Sequence, residues 1–123
     1  MEKKRILIAE DEAIAALQLK LTCEKYGFHV IDVVTKGETV IDTALTQQPD
    51  MILMDIYLAD NINGIEAVKK IHSIHKIPVI FITASEDETT YEHAQETIFI
   101  SFISKPYNAK KLMKIIDNYF NNK

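Results

Sequence analysis

Short, almost unbroken apolar runs alternate along the chain with longer stretches in which apolar residues recur every three or four positions. The runs Arg5 to Ala9, His29 to Val34, Met51 to Met54, Val79 to Thr83 and Phe99 to Ile103 predict five strands. Most alternate little and are rich in Ile, Val, Leu and Met, as parallel strands covered by helices on both faces require. Between them, Ile14, Leu17 and Leu21 share one helical face. Val40, Ile41, Ala44 and Leu45 share a second, and Ile65, Val68, Ile71 and Ile74 a third, so each helix is expected to bury one stripe. The fourth stretch, Glu86 to Glu96, is mostly polar and offers Tyr91 and Ala94 to a core, so it is expected to dock loosely. Leu112, Ile115, Ile116 and Tyr119 mark the fifth, with Asn108 placed to cap it. Gly27 can close the first helix, and Pro49 and Pro78 stand just before strands, where a missing N–H does least harm. The alternation predicts an α/β fold, a doubly wound five-stranded parallel sheet with right-handed crossovers and five flanking helices.

Composition narrows this to one domain, residues 1–123, because 123 residues of which 47% are hydrophobic suffice for one core and leave little for a second. The 14 basic and 18 acidic residues give a net charge of −4, so no global positive field exists to draw in nucleic acid or an anionic bilayer. The basic start, Met1 to Arg5, is followed by an apolar run that stops at Glu10, too short for a signal peptide, and no run reaches membrane-spanning length. A cytoplasmic location is expected. Cys23, the single cysteine, rules out an internal disulfide or a cysteine metal cage and reads as a small hydrophobe on a helix. Asn121, Asn122 and Lys123 read as a frayed end or the stub of a linker.

In open α/β sheets, ligands bind beyond the carboxyl ends of the strands. There the chain carries Glu10 and Asp11 after the first strand, Asp55 after the third, Thr83 and Ala84 at the fourth, and Lys105 and Pro106 after the fifth. Carboxylates crowded in a crevice repel one another unless a proton or cation intervenes, and hard oxygen donors without a soft one select Mg²⁺ or a similar ion. A metal, an ammonium and a hydroxyl around one carboxylate can meet charge developing on a phosphoryl group from several sides, which makes Asp55 the candidate nucleophile. Taken singly these residues have plainer roles: Asp11 or Glu12 a helix cap, Thr83 a strand residue, Lys105 a solvated charge. Their conjunction argues for chemistry. His72 and His75 lie three apart without an evident third ligand, His29 and His93 without a partner motif, and none of the four is given a catalytic role.

The chain resembles the receiver domains of two-component response regulators, CheY-like modules that stand alone or form part of a longer regulator. The resemblance spans essentially the whole chain. It rests on five motifs in order: Ile6-Leu7-Ile8-Ala9-Glu10-Asp11-Glu12, Met54-Asp55-Ile56-Tyr57-Leu58, Asn63-Gly64-Ile65-Glu66, Phe81-Ile82-Thr83-Ala84-Ser85 and Ser104-Lys105-Pro106-Tyr107. It implies a flavodoxin-like (βα)5 fold with strand order 2-1-3-4-5. It also implies a phosphorelay switch in which Asp55 takes a phosphoryl group from a sensor histidine kinase or a histidine phosphotransfer protein. The metal, Mg²⁺ or Mn²⁺, would be held by Asp11, Asp55, the Tyr57 carbonyl and, through water, Glu10. Thr83, Ala84 and Lys105 would contact the phosphoryl group, and the Lys105-Pro106 bond would be cis. The resemblance makes this a signalling protein and not an enzyme, acting through a downstream protein or a fused output domain and allowing a phosphorylation-dependent homodimer. It further places the phosphodonor at the first helix. The face that changes would hold Tyr91, Phe102, Lys110 and Lys114.

Three features depart from the commonest form of that family. Phe102 stands where many members carry tyrosine, so its coupling to Thr83 rests on packing. The stretch Thr97 to Ser101 lacks the usual glycines, which suggests an altered loop path, although Ile98, Phe99 and Ile100 also read as an extension of the buried fifth strand. Tyr57, two residues past Asp55, and Ser85, two past Thr83, flank the site and are expected to tune the lifetime of an acyl phosphate. The enzymatic alternative is an aspartyl phosphatase or phosphotransferase of the haloacid-dehalogenase type, but that pattern wants an aspartate where Tyr57 stands. A nucleotide-binding enzyme fits less well, since Gly27, Gly37 and Gly64 form no phosphate-cradling loop. A phosphate-free interaction module would have no need of Asp55, Thr83 and Lys105 together.

Overall fold

A computed structural model describes residues 2–84 and 88–121. Its elements alternate as β1 (Arg5–Ala9), α1 (Ala13–Lys25), β2 (His29–Val34), α2 (Gly37–Gln47), β3 (Met51–Met54), α3 (Gly64–His72), β4 (Val79–Thr83), α4 (Glu88–Ala94), β5 (Ser101–Ser104) and α5 (Ala109–Asn121). The five strands form one parallel sheet in the order β2-β1-β3-β4-β5. The first four strands match the expected bounds. Side chains alternate across the sheet: Ile6, Ile8, Leu53, Ile80 and Ile82 pack with α1 and α5, while Leu7, Ala9, Ile52, Met54 and Phe81 pack with α2 and α3. Helices α1 and α3 therefore leave the neighbouring strands β1 and β3 toward opposite faces, which opens a crevice at the carboxyl ends of those strands.

Helix termini follow the local sequence. Gly27, at φ +92°, ends α1 with Phe28 N–H donating to the Cys23 carbonyl and Gly27 N–H to that of Glu24, a left-handed cap that a side chain disfavours. Asn108 Oδ1 accepts from Lys111 N–H at 3.0 Å, the cap expected for α5. Asn63 Oδ1 accepts from Glu66 N–H at 2.9 Å and starts α3. Asn63→Ala is expected to lower stability by about 1 kcal/mol, read as a lower urea midpoint with an unchanged slope.

Three expectations are corrected. Ile14, Leu17 and Leu21 do not form the buried stripe of α1; they are 71%, 56% and 57% exposed, and Ala16, Leu19 and Cys23 face the sheet instead. The helix is apolar on two sides, and the smaller Ala16 and Cys23 allow closer packing on β1 and β2. Ile74 lies past the end of α3 and is 63% exposed. Strand β5 starts two residues later than the apolar run: the Ile100 N–H bond to Val79 is the first to β4, and Phe99 packs edge-on against Phe81. Ile98 is 77% exposed and so does not extend a buried strand. As an edge strand, β5 is half-buried, unlike β3 and β4. In α4, which begins at Glu88, Thr90 is buried with Ala94, while Tyr91 is 43% exposed. The start expected at Glu86 lies outside the described residues.

Candidate functional site

The crevice gathers residues from four strand ends. Backbone bonds Glu10 N–H to Val34, Asp55 N–H to Ala9 and Lys105 N–H to Thr83 carry the sheet ladder one residue past the strands, so these side chains stand on stiff supports. Carboxylate oxygens of Glu10, Asp11 and Asp55 lie within 4.8 Å of one another, Glu10 and Asp55 buried and Asp11 exposed. Lys105 Nζ donates to Asp55 Oδ2 at 3.1 Å and to Glu10 Oε1 in a shorter contact. The Lys105-Pro106 peptide is cis, as the resemblance implies. Asp55 Oδ1 accepts from Tyr57 N–H at 3.2 Å, and Glu10 Oε2 from Glu12 N–H at 3.1 Å.

One ammonium facing three carboxylates leaves the cluster short of positive charge. Burial would raise the Glu10 pKa, but its bonds to Lys105 and the Glu12 N–H outweigh that and hold it below the usual carboxylate range. Asp55 is the carboxylate left over: burial first, then the charge of Glu10, push it up to about 6 despite Lys105. Burial works against the Lys105 ammonium too, yet its two carboxylate partners keep its pKa above the ordinary lysine value. An acid driven upward by burial and by the charge of Glu10, in an all-oxygen cluster open on the Asp11 side, suits a hard divalent cation.

The other predicted residues fall around this centre. Thr83 is fully buried at the end of β4, and Ala84 beside it is exposed. Tyr57 is 52% exposed, and its hydroxyl lies 2.9 Å from Thr90 Oγ1 on α4. Phe102 is not in the acidic cluster. It is half-buried in an aromatic group, edge-on to Tyr91 at 5.1 Å and near Phe81 and Phe99. Ser85 lies outside the described residues. Beside the crevice, between α1 and the segment after β5, runs a cleft of about 730 Å³ lined by Ala15, Gln18, Leu21, Asp55, Lys105 and Tyr107 among others. Two contributors escaped the sequence reading. Thr90 gave no signal, being one polar residue in a polar stretch. Gly64 stood in a recognised motif, yet the reason for it appears only in three dimensions, where a Cβ would sit 2.3 Å from the Asp55 carbonyl oxygen.

Residues 6–117 match the family described as the response regulator receiver domain. The Phyllosphere-induced regulator PhyR of Methylorubrum extorquens is 36% identical over 112 residues, covering 90% of this chain and 41% of that protein. The signal receiver domain of a modulated diguanylate cyclase from Desulfovibrio desulfuricans G20 superposes with a TM-score of 0.87 at 31% identity, over 94% of this chain and 92% of that one. The receiver domain of a sensor histidine kinase from Pseudomonas aeruginosa PAO1 shares the fold at TM-score 0.86 and 23% identity, over 96% and 98% of the two chains. That structure has a magnesium ion coordinated in its active-site cleft. The chain spans between 41% and 55% of the length of the curated relatives named first among its matches.

Proposed function

The chain belongs to the response regulator receiver domains of two-component systems, and from that premise we propose that it works as a switch set by transfer of a phosphoryl group to Asp55. The observation that carries this is the meeting of Glu10, Asp11 and Asp55 within 4.8 Å, with Lys105 as their ammonium partner. Asp11, Asp55 and the Tyr57 carbonyl would hold Mg²⁺ or Mn²⁺ directly and Glu10 through water, and the ion would neutralise charge on the phosphoryl oxygens. The magnesium in the Pseudomonas receiver of the same fold supports the choice of metal. An Asp55 carboxylate oxygen attacks phosphorus, and the bond from phosphorus to the donor breaks with its electron pair leaving on the donor. Lys105, already on Asp55, can follow the new oxygens as charge develops, with the Thr83 hydroxyl and the Ala84 N–H on the other side. The alternative of a haloacid-dehalogenase-type phosphatase finds no support, since Tyr57 and not a second aspartate stands two residues after Asp55, and its hydroxyl is engaged by Thr90.

The phosphodonor would be a sensor histidine kinase or a histidine phosphotransfer protein, received by the exposed apolar face Ile14, Leu17 and Leu21 of α1 beside the cleft. Output would leave through the α4-β5-α5 face, with Tyr91, Phe102, Lys110 and Lys114, to a downstream protein, a fused output domain or a second copy. Sedimentation with and without beryllofluoride tests the last, and monomers in both contradict it. The activity reading is confined to self-catalysed phosphorylation and dephosphorylation of Asp55 in one domain, residues 1–123. A cytoplasmic setting suits a buried Cys23 whose thiol is pushed up to about 12, first by burial, and is inert at neutral pH. Among the described residues no helix is long and apolar enough to cross a membrane.

Incubation with acetyl phosphate and Mg²⁺ tests the switch. It should give one acid-stable, base-labile phosphoryl group per chain, absent in Asp55→Asn and in chelator; incorporation that survives either change contradicts it. The Tyr57 ring, half exposed two residues past Asp55, would shield the acyl phosphate from water, with Ser85 as a second lifetime-tuning position. Tyr57→Asn should accordingly shorten the half-life of the phosphorylated protein roughly tenfold, about 1.4 kcal/mol of barrier. An unchanged or longer half-life would rule the shield out.

A further inference from the structure

We propose that Tyr57 and Thr90 form the line by which the state of Asp55 reaches α4, with Tyr57 a positioning residue whose hydroxyl is the coupling atom. The inference rests on the switch reading above. Tyr57 touches both ends of that line: its N–H donates to Asp55 Oδ1 at 3.2 Å, and its hydroxyl meets Thr90 Oγ1 at 2.9 Å across 33 positions of sequence. Thr90 is turned inward, 7% exposed, on a helix of seven residues where Ala94 is the other buried side chain. The other seat of α4 is Tyr91, 43% exposed and edge-on to Phe99 and Phe102, so the hydroxyl pair is a directional part of what holds the helix.

The second route from the crevice to α4 runs through Phe102, which meets Tyr91 ring to ring and whose side chain has no atom that can make a hydrogen bond. Ring packing tolerates sliding, whereas an O–H···O bond weakens steeply once displaced or misaligned. Of these two routes, the directional one is therefore the Tyr57 side chain. The hydroxyl pair belongs to the arrangement in which Lys105 is committed to Glu10 and Asp55. A phosphoryl group on Asp55 changes what Lys105 and the Tyr57 N–H face. Moving the Tyr57 backbone then moves its hydroxyl off Thr90 and loosens the helix. By linkage, whatever holds α4 in place also resists occupation of Asp55.

The test is amide hydrogen exchange of α4 and the following turn, including the Gln95, Glu96 and Thr97 amides, in Mg²⁺ with and without beryllofluoride. Tyr57→Phe keeps the ring and Thr90→Val keeps the bulk, so each removes only a hydroxyl. In the wild type, beryllofluoride should accelerate exchange about fivefold, the size of one net hydrogen bond. Each variant should exchange about fivefold faster before beryllofluoride is added and respond to it by less than about twofold, with no further gain in the double variant. A response of wild-type size in both variants, or equal acceleration with and without beryllofluoride as a merely structural bond would give, overturns the inference alone. A wild type that shows no beryllofluoride-dependent change anywhere overturns the switch reading and this inference with it.

Discussion

Asp55→Asn is expected to be more stable than the wild type at neutral pH in chelator, by about 2 kcal/mol. The Asp55 carboxyl titrates at about 6 in the fold against an ordinary 3.8, because it is buried beside Glu10, which holds Lys105 more closely. A folded-state pKa above the unfolded one means that the charged form opposes folding. The penalty is complete above about pH 7, shrinks as pH falls through 6, and is gone below the unfolded value. A shift of this size corresponds to roughly 3 kcal/mol, and the lost pairing with Lys105 takes back part of it. Urea midpoints at about pH 8 and pH 3 should thus differ between the two proteins only at the higher pH, with melting raised there by roughly 6–10 °C. Mg²⁺ should narrow the gap by stabilising the wild type in preference to the variant. An Asp55→Asn protein that is less stable at pH 8, or whose advantage does not vary with pH, would contradict the electrostatic account of the cluster.

Gly64→Ala should have the opposite effect, and a larger one. A Cβ at Gly64 would lie 2.3 Å from the Asp55 carbonyl oxygen, 2.8 Å from Met54 Cγ and 3.0 Å from Ile56 Cα, so α3 or the end of β3 must move. Two of those neighbours are backbone and cannot rotate away, and the expected loss is on the order of 3 kcal/mol or more. The nearest of these atoms is the carbonyl oxygen of Asp55 itself and the others flank it in sequence, so acetyl phosphate labelling should fall along with stability. Gly27→Ala is the control. Nothing lies within 4 Å of its Cβ, but its φ of +92° strains any side chain, for a loss of roughly 1 kcal/mol with labelling unchanged. Equal melting temperatures and equal labelling in the two alanine variants would show that the close approach at Gly64 does not matter.

Much of this was legible in the sequence because the informative residues stand at strand ends. Arg5–Ala9, His29–Val34, Met51–Met54 and Val79–Thr83 are apolar runs closed by polar residues or turns; Glu10 and Asp11 follow the first, Asp55 follows the third and Thr83 ends the fourth. What failed to show shares one cause: the same residue types served two purposes. In α1, leucine, isoleucine and alanine occupy both faces, so spacing alone could not tell Leu19 inside from Leu17 outside. Before β5, Ile98, Phe99 and Ile100 carry no punctuation, so the turn into the strand read as the strand itself. Thr90, inward on a polar helix, is recognisable only from its partner Tyr57. Phe102 was found as a position, but the aromatic group around it depends on Phe99 and Tyr91 arriving from other segments.

The most direct measurement is to phosphorylate the protein with acetyl phosphate, reduce the adduct with borohydride, and locate the reduced residue by peptide mass, with Mg²⁺ and with chelator. The account predicts a single reduced residue at Asp55 that requires the metal. Label on Glu10 or Asp11, or label on Asp55 that forms equally well in chelator, would contradict it.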